Sequence, residues 1–304
     1  MSDAHATQSQ EPLVTIYIPT RDRAELVMRA VRSALAQEGV SVEVIVVDDG
    51  STDDTLQRLH AMAALDSRLK VLQQQPSQGA CAARNRAIAE ARGRFCAGLD
   101  DDDELTPDHV AKLLAHYDER YSLVAPSLIE VHADKRVANV HEAGVVTLDR
   151  LLHYNCLGPQ VLVLTERLRA MGGFDTSLEA LQDYDLWVRL VARYGPALRI
   201  RHPSYVQHMA HGHVRISHSQ ERRLRALARF AEKHAALMSK AHKKSMELHV
   251  RKYRGETLHL RDALRLWSKG NSKMVVSMLI NSHVPGVQRL YHRVVGVVSQ
   301  RQDF

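Results

Sequence analysis

Residues 42–47, VEVIVV, constrain the fold of this chain more than any other segment. A nearly continuous apolar run of this length, bounded by polar turns, suits a strand covered on both faces. Such strands belong to parallel sheets packed between helices. The neighbouring segments keep the same rhythm. Residues 14–18 are a short β-rich run ending at Pro19. Residues 23–37 then place Leu26, Val27, Ala30, Val31, Ala34 and Leu35 at helical spacing. Ser51 or Asp53 is positioned to cap a helix that reaches Leu65. Residues 69–72 predict a strand, the Ala-rich 79–91 a helix, and 95–99 a strand. Residues 106–118 predict a helix with Thr106 as N-cap and Pro107 in its first position. This alternation predicts a doubly wound α/β sheet.

Ligands of such sheets sit outside the carboxyl ends of the strands. That rule points to the residues after Ile18, Val47 and Leu99. Each place is polar: Pro19-Thr20-Arg21, Asp48-Asp49-Gly50-Ser51, and the run Asp100-Asp101-Asp102-Asp103-Glu104. Five adjacent carboxyls at the end of a packed strand repel one another. They are tolerated when some are protonated, when a cation sits among them, or when they form a solvated turn that starts a helix. Hard cations such as Mg²⁺ or Mn²⁺ accept carboxylate oxygens and keep positions open for phosphate. The Asp-Gly-Ser turn is compatible with contacts to a base or ribose, and equally with ordinary turn chemistry.

Beyond residue 122 the pattern loosens. Strands are expected at 128–131 and 161–164, and one clear helix at 184–194. After Ser219 the chain reads as helices, with apolar stripes at Leu224, Leu227, Ala228, Ala231, Ala235 and Met238, and at Val287, Leu290, Tyr291, Val294, Val295 and Val298. Charge changes at the same boundary. Residues 220–304 hold 18 Lys and Arg against 6 Asp and Glu, so the net +6 of the chain hides an acidic body and a basic end. The expected organisation is a disordered polar tail at 1–12, a catalytic domain at 13–219 and a basic helical region at 220–304. Basic amphipathic helices suit an anionic membrane surface, packing on the body, or a homodimer. An aromatic fraction of 5%, with no interleaving of aromatics among the basic residues, argues against nucleic acid as a partner. The first residues lack the apolar core of a secretory signal, and no run of about 18 apolar residues occurs. Cytoplasmic placement is expected, with the inner face of the membrane as a docking surface. Cys81, Cys96 and Cys156 are widely spaced and are expected as reduced core residues.

Six segments in order carry a resemblance: VTIYIPTRDR (14–23), VEVIVVDDGSTDDT (42–55), GACAARNRAI (79–88), LDDDDE (99–104), GGFD (172–175) and QDYDLWVRL (182–190). Together, over residues 13–215, the chain resembles glycosyltransferase family 2, whose members invert at the anomeric carbon and have the GT-A fold. The resemblance implies a Rossmann-like, mixed but mostly parallel sheet flanked by helices, here with a C-terminal helical extension. It implies a nucleotide-diphospho-sugar donor, a UDP-sugar first, and a saccharide or lipid-linked saccharide acceptor. Cell-surface polysaccharide or glycolipid assembly is the expected setting.

Residue by residue, the resemblance implies donor contacts at Pro19, Thr20, Arg21, Asp49, Arg84, Asp100 and Asp101. Asp102, supported by Asp100, would hold Mn²⁺ or Mg²⁺, with Asp103 and Glu104 assigned to the following helix. Asp183 matches the catalytic base, at the start of a helix whose dipole favours a carboxylate. Gly173, Phe174 and Asp175 match a turn beside the acceptor. The family usually has Glu-Asp where this chain has Gln182-Asp183, so the base is kept and its acidic neighbour is lost. Gly158-Pro159-Gln160 matches a segment beneath the acceptor and is given little weight. His208, His211, His213 and His218 suggest zinc by spacing, but a single histidine, His208, as an extra ligand of the donor metal is the better match. Two other readings remain: nucleotidyl transfer on the same fold, against which PTRDRAEL has no glycine loop for a triphosphate, and a non-catalytic nucleotide-sugar or membrane-surface binding module.

Overall fold

An apolar run flanked by two amphipathic helices can bury every residue only at the centre of a sheet, and it does so here. The structure is a computed structural model that describes residues 13–133, 135–140, 143–209 and 220–283. Strand β1 (Val14–Thr20) leads into helix α1 (Ala24–Leu35), which buries Val27, Ala30, Val31 and Ala34, as its spacing predicts. Strand β2 (Val42–Asp48) pairs in parallel with β1, Val14 opposite Val42 and Thr20 opposite Asp48, and all seven residues of each are buried. Then follow α2 (Thr55–Ala63), β3 (Leu69–Gln73), α3 (Ala80–Glu90) and β4 (Phe95–Gly98), with β3 and β4 also parallel to their neighbours.

The order β3-β2-β1-β4 means that the chain winds outward from β1 and then returns to its other side. The switch lies between β1 and β4, so Thr20 and Asp100 flank the crevice where such sheets take ligands. Two starts differ from expectation. The helix predicted from Thr106 is α4 (His109–Ala115), because the Thr106 hydroxyl bonds to Asp108 rather than to the helix. Glu104 belongs to a short strand, β5 (Glu104–Leu105), instead of a helix start. Beside α2, Ser51 binds Asp48, and Asp53 accepts from the Thr55 amide.

The second half mixes directions. Strands β6 (Val124–His132), β7 (Lys135–Asn139) and β8 (Gly144–Val146) precede helix α5 (Leu148–Leu151). Strand β9 (Leu162–Leu164) joins β4 antiparallel and leads into α6 (Thr165–Ala170). Helix α7 (Gln182–Tyr194) and strand β10 (Ala197–His208) follow, and β10 pairs in parallel with β6 and antiparallel with β5. The result is a mixed α/β sheet flanked by helices.

Helices α8 (Gln220–Lys233), α9 (Lys240–Arg254), α10 (Leu260–Leu266) and α11 (Ser272–His283) form the C-terminal region. The first two share the main core: Phe230 stacks on Tyr184 with ring centroids 4.2 Å apart, and Leu227, Met238 and Met246 pack in the same cluster. Helices α10 and α11 build a satellite core with Leu248 and Leu258. The tail at 1–12, the stripe at Val287–Val298 and His211, His213 and His218 lie outside the described residues. The three cysteines are buried thiols with no disulfide between them. Among the described residues no helix is long and apolar enough to cross a membrane.

Candidate functional site

A cleft of about 880 Å³ opens at the β1–β4 switch point, large enough for a ligand of nucleotide-sugar size. Its lining includes Pro19, Thr20, Arg21, Asp49, Arg84, Asp100, Asp101, Phe174 and Asp183, so most residues singled out from the sequence meet in one place.

Asp49 forms one wall. Its carboxylate accepts from Gln74 Nε2, Ser77 Oγ, and the amides of Gln78 and Gly79, at 2.5–2.9 Å. Burial opposes the charge, yet these four bonds outweigh it and hold the pKa below the usual range. Asp49 therefore ties the loop after β3 to the end of β2. Arg21 donates to the same Ser77 hydroxyl, at 2.9 Å.

The acidic run divides its labour. Asp100 accepts from Arg84 at 2.9 Å and from Gln160 at 2.8 Å. Asp101 accepts from Thr20 and from Arg23, both at 2.8 Å, which closes the switch point with a side-chain bridge. Asp102 lies 3.6 Å from Arg23 and also lines the cleft. Burial pushes the Asp101 carboxyl up to about 6, with Arg23 opposing and Asp102 reinforcing. Asp103 is raised well above the usual carboxylate range by burial and by Asp100 and Asp102, and it accepts the amide of His208 at 3.0 Å. Asp100, Asp101 and Asp102 stand against two arginines, Arg84 and Arg23, which leaves a small surplus of negative charge. An all-oxygen donor set of this kind is of the type that a hard divalent cation accepts. The His208 imidazole bonds Glu104 at 2.6 Å. It is absent from the lining of the cleft, which Gln207 provides instead.

Another cluster has metal-like composition. Asp149, His153 and His242 bring ligand atoms within 4.8 Å of one another. Yet His242 Nδ1 accepts the Ser239 amide, so its Nε2 carries the proton and donates to Asp149 at 3.0 Å. That tautomer caps α9 and has no lone pair to offer a metal on the Asp149 side.

Asp183 stands in the first turn of α7, whose N-cap Leu181 has a left-handed backbone, φ 62°. A non-glycine residue in that region stores roughly 1–3 kcal/mol of strain. The strain persists because the helix behind it is pinned: buried Asp185 is met by Arg189, Lys233 and His234 at 2.8–3.0 Å. Asn155 Nδ2 donates to Asp183 at 2.9 Å. Burial raises the Asp183 carboxyl to about 6; the Tyr184 amide lowers it, Asp100 raises it and Arg84 lowers it. A carboxylate so poised is ionised at neutral pH and basic enough to take a proton.

The GGFD turn is clamped by Asn85, whose amide accepts from the Phe174 N–H at 2.7 Å and donates to its carbonyl at 2.8 Å. Gly173 has φ 69°, and a Cβ there would fall 2.2 Å from Asn85 Oδ1. Arg84 lies over the Phe174 ring at 5.3 Å. Asp175 is held well below the usual carboxylate range, chiefly by Lys233. Sequence reasoning underrated Gln160. It receives the Tyr17 hydroxyl at 3.2 Å and passes a hydrogen bond to Asp100, packed so closely on Gly98 that a Cβ there would fall 1.7 Å from its Oε1. Arg23, Asn155, Arg223, Lys252 and Tyr253 were also missed, the last three because they come from α8 and α9, outside the resemblance.

The sequence model of the family described as Glycosyl transferase family 2 matches residues 15–171, just over half of the chain. A protein of Escherichia coli (strain K12) assigned to colanic acid biosynthesis as the glycosyl transferase WcaA is 31% identical over 268 residues, covering 86% of this chain and 95% of that protein. Chondroitin synthase of Escherichia coli is 31% identical over 66% of this chain, which spans only 29% of that larger protein. Among solved structures, Staphylococcus aureus TarS 1-349 in complex with UDP-GlcNAc is similar in fold, with a TM-score of 0.64 and 20% identity, covering 88% of this chain and 80% of that one. A mannosyltransferase from Pyrobaculum calidifontis in complex with GDP-Man and Mn²⁺ has a TM-score of 0.59 at 20% identity, covering 97% and 82%.

Proposed function

The chain belongs to glycosyl transferase family 2, and on that premise we propose that its cleft transfers a sugar, with inversion, from a nucleotide-diphospho-sugar to a saccharide or lipid-linked saccharide. The observation that carries this reading is the shared cleft: Asp49 and Asp100–Asp102 at one end, and Asp183 with a pKa of about 6 beyond them. Relatives at about 30% identity include proteins named for colanic acid, chondroitin and teichuronic acid synthesis, which supports cell-surface polysaccharide or glycolipid synthesis as the setting. They do not favour nucleotidyl transfer or a non-catalytic module.

In this reading Pro19, Thr20, Arg21 and Asp49 form the nucleotide end. Arg84, held by Asp100 and Phe174, places a guanidinium beside the acidic run. Asp102 and Asp100 would hold Mn²⁺ or Mg²⁺, which when bound neutralises the diphosphate of the leaving group. Asp183 accepts the proton of the acceptor hydroxyl as that oxygen bonds to the anomeric carbon. The bond from that carbon to the diphosphate breaks on the opposite face, and a nucleoside diphosphate leaves. Asn155 fixes the carboxylate for this transfer, and the GGFD turn shapes the acceptor side. The test is release of nucleoside diphosphate from a panel of nucleotide sugars with Mn²⁺. Release that persists in Asp102→Ala and Asp183→Asn would refute the assignment. Release of pyrophosphate would point to nucleotidyl transfer.

A position at the cytoplasmic face of an anionic membrane is the second part of the reading. Leu260, Leu264 and Trp267 recur at helical spacing along α10 and are exposed, as are Val276 and Ile280 on α11. Arg261, Arg265, Lys269 and Lys273 lie among them. Apolar side chains rimmed by basic ones suit an interfacial helix pair. Vesicles with about one third anionic lipid should sediment the chain but not a Leu264→Glu/Trp267→Glu variant. Equal sedimentation would remove the idea.

A further inference from the structure

The cleft is electrostatically bipolar. Its acidic end is built by β1 and β4, while its opposite wall is supplied by α8 and α9 through Arg223, Lys252 and Tyr253. These residues lie outside the segment matched by the family model, which ends at residue 171. Their neighbours on the same helices are neutralised: Arg225 pairs with Glu179 and Glu221, Lys233 with Asp175 and Asp185, and Arg251 with Glu247, Glu256 and Asp262. Among the described residues no carboxylate pairs with Arg223 or Lys252. Arg223 instead lies over the Tyr253 ring, 5.6 Å from its centroid. Glu179, the acid of the cleft on that side, is already engaged by Arg225.

The part of the lining that these helices supply belongs to the same cleft as Asp183. The Tyr253 phenol is raised by burial, eased by Arg223 and raised again by Asp183, so it lies within electrostatic reach of both. Asp183 in turn feels Asp100. Arg223, Lys252 and Tyr253 thus share one cleft with Asp183 and the acidic run, and Arg223 lies against Tyr253. These cations line the cleft that an acceptor would enter to reach Asp183. Two unpaired cations converging on a cleft concentrate oxyanions and hold them by charge-assisted hydrogen bonds.

We propose that Arg223 and Lys252, with Tyr253, form an acceptor subsite that recognises an oxyanion, phosphate or carboxylate, carried by the acceptor next to the sugar that is extended. The proposal rests on the reading of the cleft as a transfer site with Asp183 as base. It assigns acceptor selection to the C-terminal helices, leaving donor chemistry to the sheet.

The test uses the full chain saturated with UDP and Mn²⁺, and in parallel without them. Dissociation constants are measured by NMR titration for methyl glucoside, methyl glucoside 6-phosphate, methyl glucuronide and inorganic phosphate. At least one charged glycoside should bind about tenfold more tightly than the neutral one, and which one does so identifies the oxyanion. Arg223→Ala and Lys252→Ala should each remove about that factor for the charged glycoside and leave the neutral one and UDP within about twofold. Arg223→Lys should retain part of the preference. Equal binding of charged and neutral glycosides overturns the proposal, as does a preference that survives both alanine variants. A fall in UDP affinity in those variants would place the cations on the donor diphosphate, and inorganic phosphate binding as tightly as the glycoside phosphate would show a bare anion site. Failure of the wild-type chain to bind UDP refutes the nucleotide-sugar reading instead, and the titrations without UDP still decide the subsite.

Discussion

Replacing Asp183 by asparagine should abolish transfer and at the same time stabilise the fold at alkaline pH. The side chain keeps its shape, and an amide oxygen still accepts from Asn155. What disappears is a charge that the folded state disfavours. Burial lifts the Asp183 carboxyl from 3.8 to about 6. Below pH 3.8 the folded and unfolded chains both hold the proton, and the residue is neutral in each. Between 3.8 and 6 the folded chain keeps a proton that the unfolded chain has lost, so stability falls as pH rises. Above 6 the penalty has its full size. Two pKa units at about 1.36 kcal/mol each set it near 3 kcal/mol, and water in the cleft should screen it to about 1–2 kcal/mol. Urea unfolding of wild type and Asp183→Asn at pH 3.5, 6 and 8 measures this directly. The variant should match wild type at pH 3.5 and exceed it at pH 8, while kcat falls by about 10³-fold. A difference independent of pH, or a variant less stable at pH 8, would refute the reasoning from burial. The wild-type rate should also decline below pH 6 as the base becomes protonated.

Gly173→Ala should cost about 2–4 kcal/mol in urea unfolding, because the new methyl displaces Asn85 from both hydrogen bonds to Phe174 at a left-handed position; a loss below 1 kcal/mol would mean that the turn relaxes freely. Chelation by EDTA should stop transfer, and Mn²⁺ should raise the Tm of wild type at pH 7.5 but not that of Asp102→Ala, as read by scanning calorimetry. Removing residues 220–304 should yield an aggregated chain by size exclusion, since it strips Phe230 from Tyr184 and leaves Asp185 buried without Lys233 and His234. A monodisperse, cooperatively melting truncation would contradict that.

The parallel half of the sheet was legible because its signals are local. A doubly buried strand such as β2 must be apolar along its whole length, and α1 must show its stripe. The acidic run was legible for the same reason, since it sits directly after a strand; Asp183 was legible only through its match to the family motif. The partners of these acids were not. Gln160 reaches Asp100 from 60 residues away, and Asn155 reaches Asp183 from 28. No periodicity encodes such pairings; they exist only once β9 has joined β4. The division of the C-terminal region was hidden for a related reason. Helices α8 and α10 are both basic and amphipathic in sequence, yet α8 spends its apolar face on Tyr184 while α10 leaves Leu264 and Trp267 in solvent. Glu104 and Asp103 read as a helix start because Thr106-Pro107 is a common opening, but pairing with Tyr205 and Val206 claimed Glu104 for a strand.

The Lys233–Asp185–His234 junction has a consequence for engineering. It fastens the helix that carries the base to the helix that carries Arg223, with ion pairs of 2.9 and 3.0 Å to a carboxylate that has no access to water. The two helices must therefore be exchanged together. A chimera that imports a relative's C-terminal helices without the matching α7 would strand a buried charge and misplace the base. On the proposed reading, acceptor selection would be exchanged as one unit running from Leu181 through α9, rather than as a set of loops.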